Sequence, residues 1–284
     1  MKIDRRVIFL FVALALGLPL ALNLSLKAAP MKSAEEFYQA VEALDPKNGK
    51  AAFVAFDFGP NTKAENESQA EVVLEHLLRK RIPVILFSQY VLGEPFLKTI
   101  PARITEKIQF ETGDTFEYGK DWVNLGYQPG ASLIIQAIPK TEKLADLFVK
   151  DVRGNRLSDL PIFKKFGGIE DISLLAQFTG LVGVFDSYIQ FFQNKNYRPV
   201  FTHGCTSITI PEAFIYLDSG QLTGLLEGVA GAAWYSELLS QNYPNRKKDK
   251  STVINTGLGV AHLVIILFVI LGNISYFLER KNNA

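Results

Sequence analysis

Two uncharged apolar stretches stand at opposite ends of this chain, and they limit everything between them. Residues 7–26 (VIFLFVALALGLPLALNLSL) and 257–277 (GLGVAHLVIILFVILGNISYF) contain no Asp, Glu, Lys or Arg. A helix needs about 20 apolar residues to cross about 30 Å of hydrocarbon. Both stretches have that length, and Pro19 inside the first is tolerated in a membrane helix. The alternative for the first is a cleaved signal peptide, whose basic start it shares in Lys2, Arg5 and Arg6. Two features favour an uncleaved anchor. The run is longer than a signal core, and Leu26-Lys27-Ala28-Ala29-Pro30 is a poor small-x-small cleavage site.

Arg5 and Arg6 hold the N-terminus in the cytoplasm by the positive-inside rule. Two crossings return the C-terminus there, and Arg280 and Lys281 agree. The expected layout is a cytoplasmic start and first span in 1–26, an extracytoplasmic domain in 27–252, a second span in 253–278 and a cytoplasmic tail in 279–284. That describes a prokaryotic inner-membrane protein with a periplasmic or extracellular domain. One run disagrees. Asn245-Arg246-Lys247-Lys248-Asp249-Lys250 is basic and lies on the outer side, where it is expected to touch lipid headgroups. Long domains translocate largely regardless of charge, so the layout stands. A single cysteine, Cys205, excludes an internal disulfide and a multi-cysteine metal site. The net charge of +1 supplies no field for nucleic acid.

With 48% hydrophobic residues the chain can bury a sizeable core. Ser33-Ala34-Glu35-Glu36 reads as a capping box opening a helix to Leu44. Residues 51–57 (AAFVAFD) and 82–88 (IPVILFS) read as strands, with a helix-periodic stretch 64–80 between them. This is a strand–helix–strand unit, and strands apolar on both faces belong in a covered parallel sheet. Further on, 94–110 reads as a helix broken near Pro101, 118–128 as a loop, 131–138 as a third strand and 141–150 as a helix. Residues 151–172 form a long connection. Residues 173–178 read as a fourth strand, 183–193 as a helix, and 199–202 with 205–210 as a fifth strand. Pro211 opens a last helix running to Ser240. The alternation gives a doubly wound, mostly parallel α/β sheet of the Rossmann-like kind between the two anchors.

In such a sheet ligands sit beyond the carboxyl ends of the strands. Asp57 ends the first strand there, followed by Gly59-Pro60-Asn61, and reads either as a ligand or catalytic carboxylate or as a turn cap. His203 and Cys205 end another strand. A Cys–His pair is a nucleophilic arrangement, although two residues along one strand seldom reach base–nucleophile geometry. The segment 118–127 combines Tyr118, Lys120, Asp121, Trp122 and Asn124, and reads as a binding loop or a packing loop. Dinucleotide, Walker and nucleophile-elbow motifs are absent from the sequence. No metal or cofactor is expected. His76 is expected on a solvated helix face.

The strongest pattern is Gly220, Gly224, Gly228 and Ala232, continued by Ser236, at every fourth residue of the expected last helix. On one helix this is a smooth stripe, suited to packing within the domain or to a subunit interface. In the second span His262 and Asn273 are polar, and Gly257, Gly259 and Gly272 permit helix–helix contact. Association between anchor helices is expected there rather than proton transfer.

Lys2-Ile-Asp-Arg-Arg6, the segment 118–127, Ser219-Gly-Gln-Leu-Thr-Gly-Leu-Leu-Glu-Gly228, and His262 with Leu271-Gly-Asn273 together resemble a group of uncharacterised prokaryotic membrane-anchored proteins. The resemblance implies one extracytoplasmic α/β domain between two spans. It covers nearly the whole chain and implies no activity. The function expected is non-catalytic, a scaffold or binding subunit that meets membrane lipid and assembles with copies of itself or with other membrane-protein subunits. The alternatives are a tethered hydrolase using Asp57, His203 or Cys205, and a ligand-sensing accessory subunit of a transporter.

Overall fold

The computed structural model describes residues 4–282 except 165 and 248, and the side chains of 278–282 also lie outside the description. Lys2 and Lys248 are therefore not described, nor are the side chains of Arg280 and Lys281. The elements run α1 (Arg5–Leu22), α2 (Lys32–Glu42), β1 (Ala51–Phe56), α3 (Lys63–Arg79), β2 (Val84–Ser88), α4 (Glu94–Thr112), β3 (Trp122–Tyr127), α5 (Ser132–Ala137) and α6 (Leu144–Phe148). They continue with β4 (Ile172–Thr179), α7 (Val184–Phe191), β5 (Val200–Cys205), α8 (Ile210–Asp218), β6 (Gly224–Glu227), α9 (Gly228–Asn242) and α10 (Lys250–Asn282).

The six strands form one all-parallel sheet in the order β3-β2-β1-β4-β5-β6, a Rossmann-like arrangement. The chain winds outward from β1 to β3, crosses back, and winds outward again from β4 to β6. The reversal therefore falls between β1 and β4, the pair Phe53 and Leu175 at its centre. Ala52, Val54 and Phe56 pack under α2, α3, α4 and α9. Ala51, Phe53 and Ala55 pack under α5, α7 and the 138–171 connection. That two-sided burial is why β1 is apolar at every position.

Several expectations fail for physical reasons. Residues 118–128 are no loop, because they contain edge strand β3. Its mixed composition reflects one outer flank and an amide, Asn124, that donates to Leu97 O at 3.0 Å. Residues 131–138 are no strand and contain α5 instead. Only Ile135 and Ile138 are fully buried there, three apart on one helical face. The expected helix 141–150 shrinks to α6, and the two-piece fifth strand is the single β5. Pro101 lies inside an uninterrupted α4. The capping box is not formed, because Ser33 Oγ donates to Glu227 Oε1 at 2.5 Å instead of capping α2.

The expected helix 211–240 is three elements, α8, β6 and α9, so the glycine stripe does not exist as one helical face. Gly220 closes a turn at φ +72°, Gly224 lies in β6, and Gly228 opens α9 at φ +56°. A Cβ at Gly224 would collide with the backbone of Phe37 in α2. Of the series only Gly228, Ala232 and Ser236 fall in one helix, and all three are buried inside the domain.

α1 and α10 are apolar and long enough to cross a membrane by length and composition. They form an antiparallel pair. Phe11 meets Phe268 with ring centroids 5.8 Å apart, and Leu16 O lies 3.3 Å from where a Gly257 Cβ would stand. Beyond α1 the chain is pinned to α10, as Leu26 N donates to Thr256 Oγ1 at 2.8 Å. Gly259 and Gly272 have open space, and His262 is exposed on α10.

Candidate functional site at the carboxyl edge

Asp57 stands just past β1, at the point where strand order reverses. Its carboxylate is wholly buried. Oδ1 accepts from Gln89 N at 2.8 Å and Ser88 Oγ at 3.2 Å. Oδ2 accepts from Tyr188 OH at 2.7 Å and Gln177 Nε2 at 3.1 Å. Burial raises the pKa of this carboxyl, against the four donors that favour its ionised form. None of these donors carries a charge.

Gln177 links Asp57 to His203, its register partner on β5. His203 Nδ1 donates to Gln177 O at 3.0 Å, and its ring stacks on Phe185 at 4.2 Å. Burial takes the imidazole down to about 3, so it is neutral at ordinary pH. Cys205 is packed against Ala213 and Leu225. Burial, with Glu227 nearby, pushes its thiol up to about 12. A neutral imidazole beside a protonated thiol is not an activated nucleophile. The space lined by Thr179, Leu181, Phe185, His203 and Thr209 measures about 10 Å³, roughly one water. The structure thus brings Asp57 and His203 into one buried layer through Gln177, with Cys205 on the same strand.

Of the other expected ligand residues, Asn61 stands in the same β1–α3 connection as Asp57, and the rest lie elsewhere. Asn61 is exposed in the turn before α3. Tyr118, Lys120, Asp121 and Trp122 sit at the amino end of β3, the opposite edge of the sheet, about 20 Å away for strands of six residues. Tyr118 OH donates to Asp151 Oδ2 at 2.9 Å, its ring lies 3.5 Å under the Arg153 guanidinium, and it meets Trp122 edge-on. Asp121 Oδ2 accepts from Glu117 N at 2.7 Å. Asn124 uses its amide within the fold, donating to Leu97 O and accepting from Gly126 N. Lys120 is exposed beside Glu117.

Two clusters escape a reading of the sequence. In the first, His76 is fully buried rather than solvated. Its Nε2 donates to Glu42 Oε1 at 2.8 Å, and Nδ1 accepts from Tyr235 OH at 2.7 Å. Burial takes His76 down to about 4. Burial works against the Glu42 carboxylate, but hydrogen bonds from His76 and Lys80 hold its pKa below the usual range.

In the second, Arg246 turns inward instead of toward headgroups. Its Nε and Nη2 meet the Glu75 carboxylate at 3.1 and 2.7 Å, Nη2 also pairs with Asp249, and Nη1 donates to Ser236 O and Oγ. Lys107 bridges the same two carboxylates at 2.9 and 2.8 Å. Burial opposes ionisation of Glu75 and Asp249, yet Arg246, joined at Asp249 by Lys107, holds both pKa values below the usual carboxylate range. Arg79 joins through Glu75 and Glu111. The cluster ties α3, α4 and α9 to the start of α10. Among the described residues no group of three or more His, Cys, Asp or Glu side chains could hold a metal ion.

Compared with protein-family models, with curated proteins and with solved structures, the chain matches none, so its function is read from its own residues.

Proposed function

We propose that this chain is a two-span membrane protein that holds a Rossmann-like domain outside the cytoplasm as a non-catalytic scaffold or binding subunit, assembling with copies of itself or with other membrane proteins. The observation that carries this reading is the buried ion cluster around Arg246. A tethered enzyme needs only a flexible leash, whereas this domain is clamped to α10 by paired charges drawn from α3, α4 and the segment before α10. Such a joint fixes the disposition of domain and span, as an assembly scaffold requires.

Two further points support it. The antiparallel pairing of α1 and α10 suits a topology with both termini in the cytoplasm. The basic run before α10 opposes that topology less than its sequence suggests, since Arg246 is neutralised within the domain. The hydrolase alternative finds little support, because Asp57, His203 and Cys205 are buried and engaged with the fold's own groups.

Native mass spectrometry of the full chain from lipid nanodiscs tests the proposal. A defined multimer or a stoichiometric complex with another membrane protein is the expected result. A monomer at every concentration overturns it.

A further inference from the structure

The direction in which α10 leaves the domain orients the sheet relative to the spans. Along α9 and α10 the chain meets α3 in reverse. Arg79 lies over the Tyr243 ring, Glu75 pairs with Arg246, and Lys250 and Ile254 line a groove with Glu71, Glu67 and Lys63. α3 starts just past the carboxyl end of β1, so α10 runs toward the carboxyl edge and beyond it. At 1.5 Å per residue α3 rises about 18 Å from Glu75 back to Lys63, and the same rise takes α10 from Asp249 to about residue 261. That level lies inside the uncharged stretch beginning at 257. The incoming chain agrees, because Ser33 at the start of α2 bonds Glu227 at the carboxyl end of β6.

The loops at this edge carry bare apolar tips. Val91 and Leu92 follow β2, Val182 follows β4 and Ile208 follows β5, with Val182 77% and Ile208 89% exposed. These loops are neighbours. A Cβ at Gly59 in the β1 loop would stand 3.1 Å from Leu92, and one at Gly180 would press on Thr62 and Thr206. Leu24 and Leu26, on the segment leaving α1, are exposed beside α10.

We infer that the carboxyl edge of the sheet lies against the bilayer, with Val91, Leu92, Val182 and Ile208 seated in the lipid headgroup layer. The inference rests on α1 and α10 being spans. Its occupant is lipid because the apolar tips continue the apolar surface of the two helices at the same level. Each tip is followed within a few residues by a carboxylate, Glu94, Asp186 or Glu212, in the first turn of the next helix. Those charges stop the loops at the headgroups rather than in the acyl core. The sheet edge where Rossmann-like folds receive ligands would then open to the membrane surface rather than to bulk water.

Nitroxide labels read this directly. Val182→Cys, Ile208→Cys, Lys47→Cys and Leu267→Cys are made singly in a Cys205→Ala chain and placed in nanodiscs of phosphatidylethanolamine and phosphatidylglycerol. Lys47 is exposed at the amino edge and Leu267 lies within α10. The ratio of oxygen to nickel-chelate accessibility should be several-fold higher at 182 and 208 than at 47, and highest at 267. Labels at 182 and 208 as wet as the one at 47, with 267 still in lipid, overturn the docking and leave the spans standing. A wet label at 267 overturns the spanning reading and the docking with it. Labels at 182 and 208 shielded from both reagents mean a protein covers this edge, which also overturns it.

Discussion

Two of the places where the domain buries charge treat it in opposite ways. Around Arg246 the charges are paired, with Glu75, Asp249 and Glu111 facing Arg246, Lys107 and Arg79. At Asp57 a lone carboxylate is surrounded by neutral donors from Gln89, Ser88, Gln177 and Tyr188. The first arrangement joins elements far apart in sequence and loses its balance if any one member goes. The second pins the point where strand order reverses, and no counter-charge is stranded if its own charge goes. The contrast separates a joint between the domain and α10 from a peg within the sheet.

Arg246→Ala probes the joint and carries the largest expected effect. Removing one partner of a buried pair leaves carboxylates uncompensated and costs about 3–5 kcal/mol. Thermal unfolding in detergent should show that loss, and proteolysis should begin to cut between α9 and α10. A loss under about 1 kcal/mol would remove the distinction between the two regions.

Asp57→Asn probes the peg. The amide keeps the shape, but its NH2 faces groups that all donate, so about 1–3 kcal/mol should go, with no change in protease sensitivity near α10. If Asp57→Asn costs more than Arg246→Ala, the two regions have been assigned the wrong way round.

How much of this was legible beforehand depends on what each residue faces. β1, α3, β2, β4 and α7 announce themselves, since the strands are predominantly apolar on both faces and the helices carry apolar residues at helical spacing against the core. β3 hides because an edge strand keeps one flank for the polar groups of 117–124 and 151–153. β6 has four residues, and glycines four apart imitate a helical stripe although a turn, a strand and a helix each demand their own glycine. Asp57 and His203 were findable, because strand ends at a reversal of strand order collect polar groups. Tyr188 and Ser88 were not, since only the fold brings them to Asp57. Gln177, a lone amide in ISLLAQFT, is the one signal of that link in the sequence. Arg246 misled because a basic residue near a span ordinarily faces headgroups, while here Glu75 lies 171 positions earlier in sequence and draws it inward.

Acid titration sharpens the contrast through sign. Glu75 and Asp249 have depressed values when folded, so their stabilisation is present above the ordinary carboxylate range and is lost as pH falls below it. Asp57 is raised, so its contribution is fullest below its ordinary value of 3.8 and declines as pH rises. His203, at about 3 when folded against 6.5 ordinarily, binds its proton more readily unfolded, so stability falls as pH drops from 6.5 toward 3. His203→Gln should flatten the stability–pH curve between pH 6 and 4.5 by about 1 kcal/mol per pH unit, at most the limit for one proton. An unchanged slope would mean that His203 is not buried as a neutral base.

The smallest effect belongs to Cys205, and it tests whether the carboxyl edge holds a reactive centre or a packed wall. The thiol lies against Ala213 and Leu225, held protonated by burial. Free buried cysteine behaves as a small hydrophobe, so Cys205→Ala should cost about 1 kcal/mol or less. The folded chain should resist a maleimide at neutral pH and react only after denaturant opens it, because attack needs an exposed thiolate. Rapid labelling of the native chain would reopen Cys205 and His203 as a nucleophilic pair. It would also make this edge, rather than the Arg246 joint, the place to look for activity.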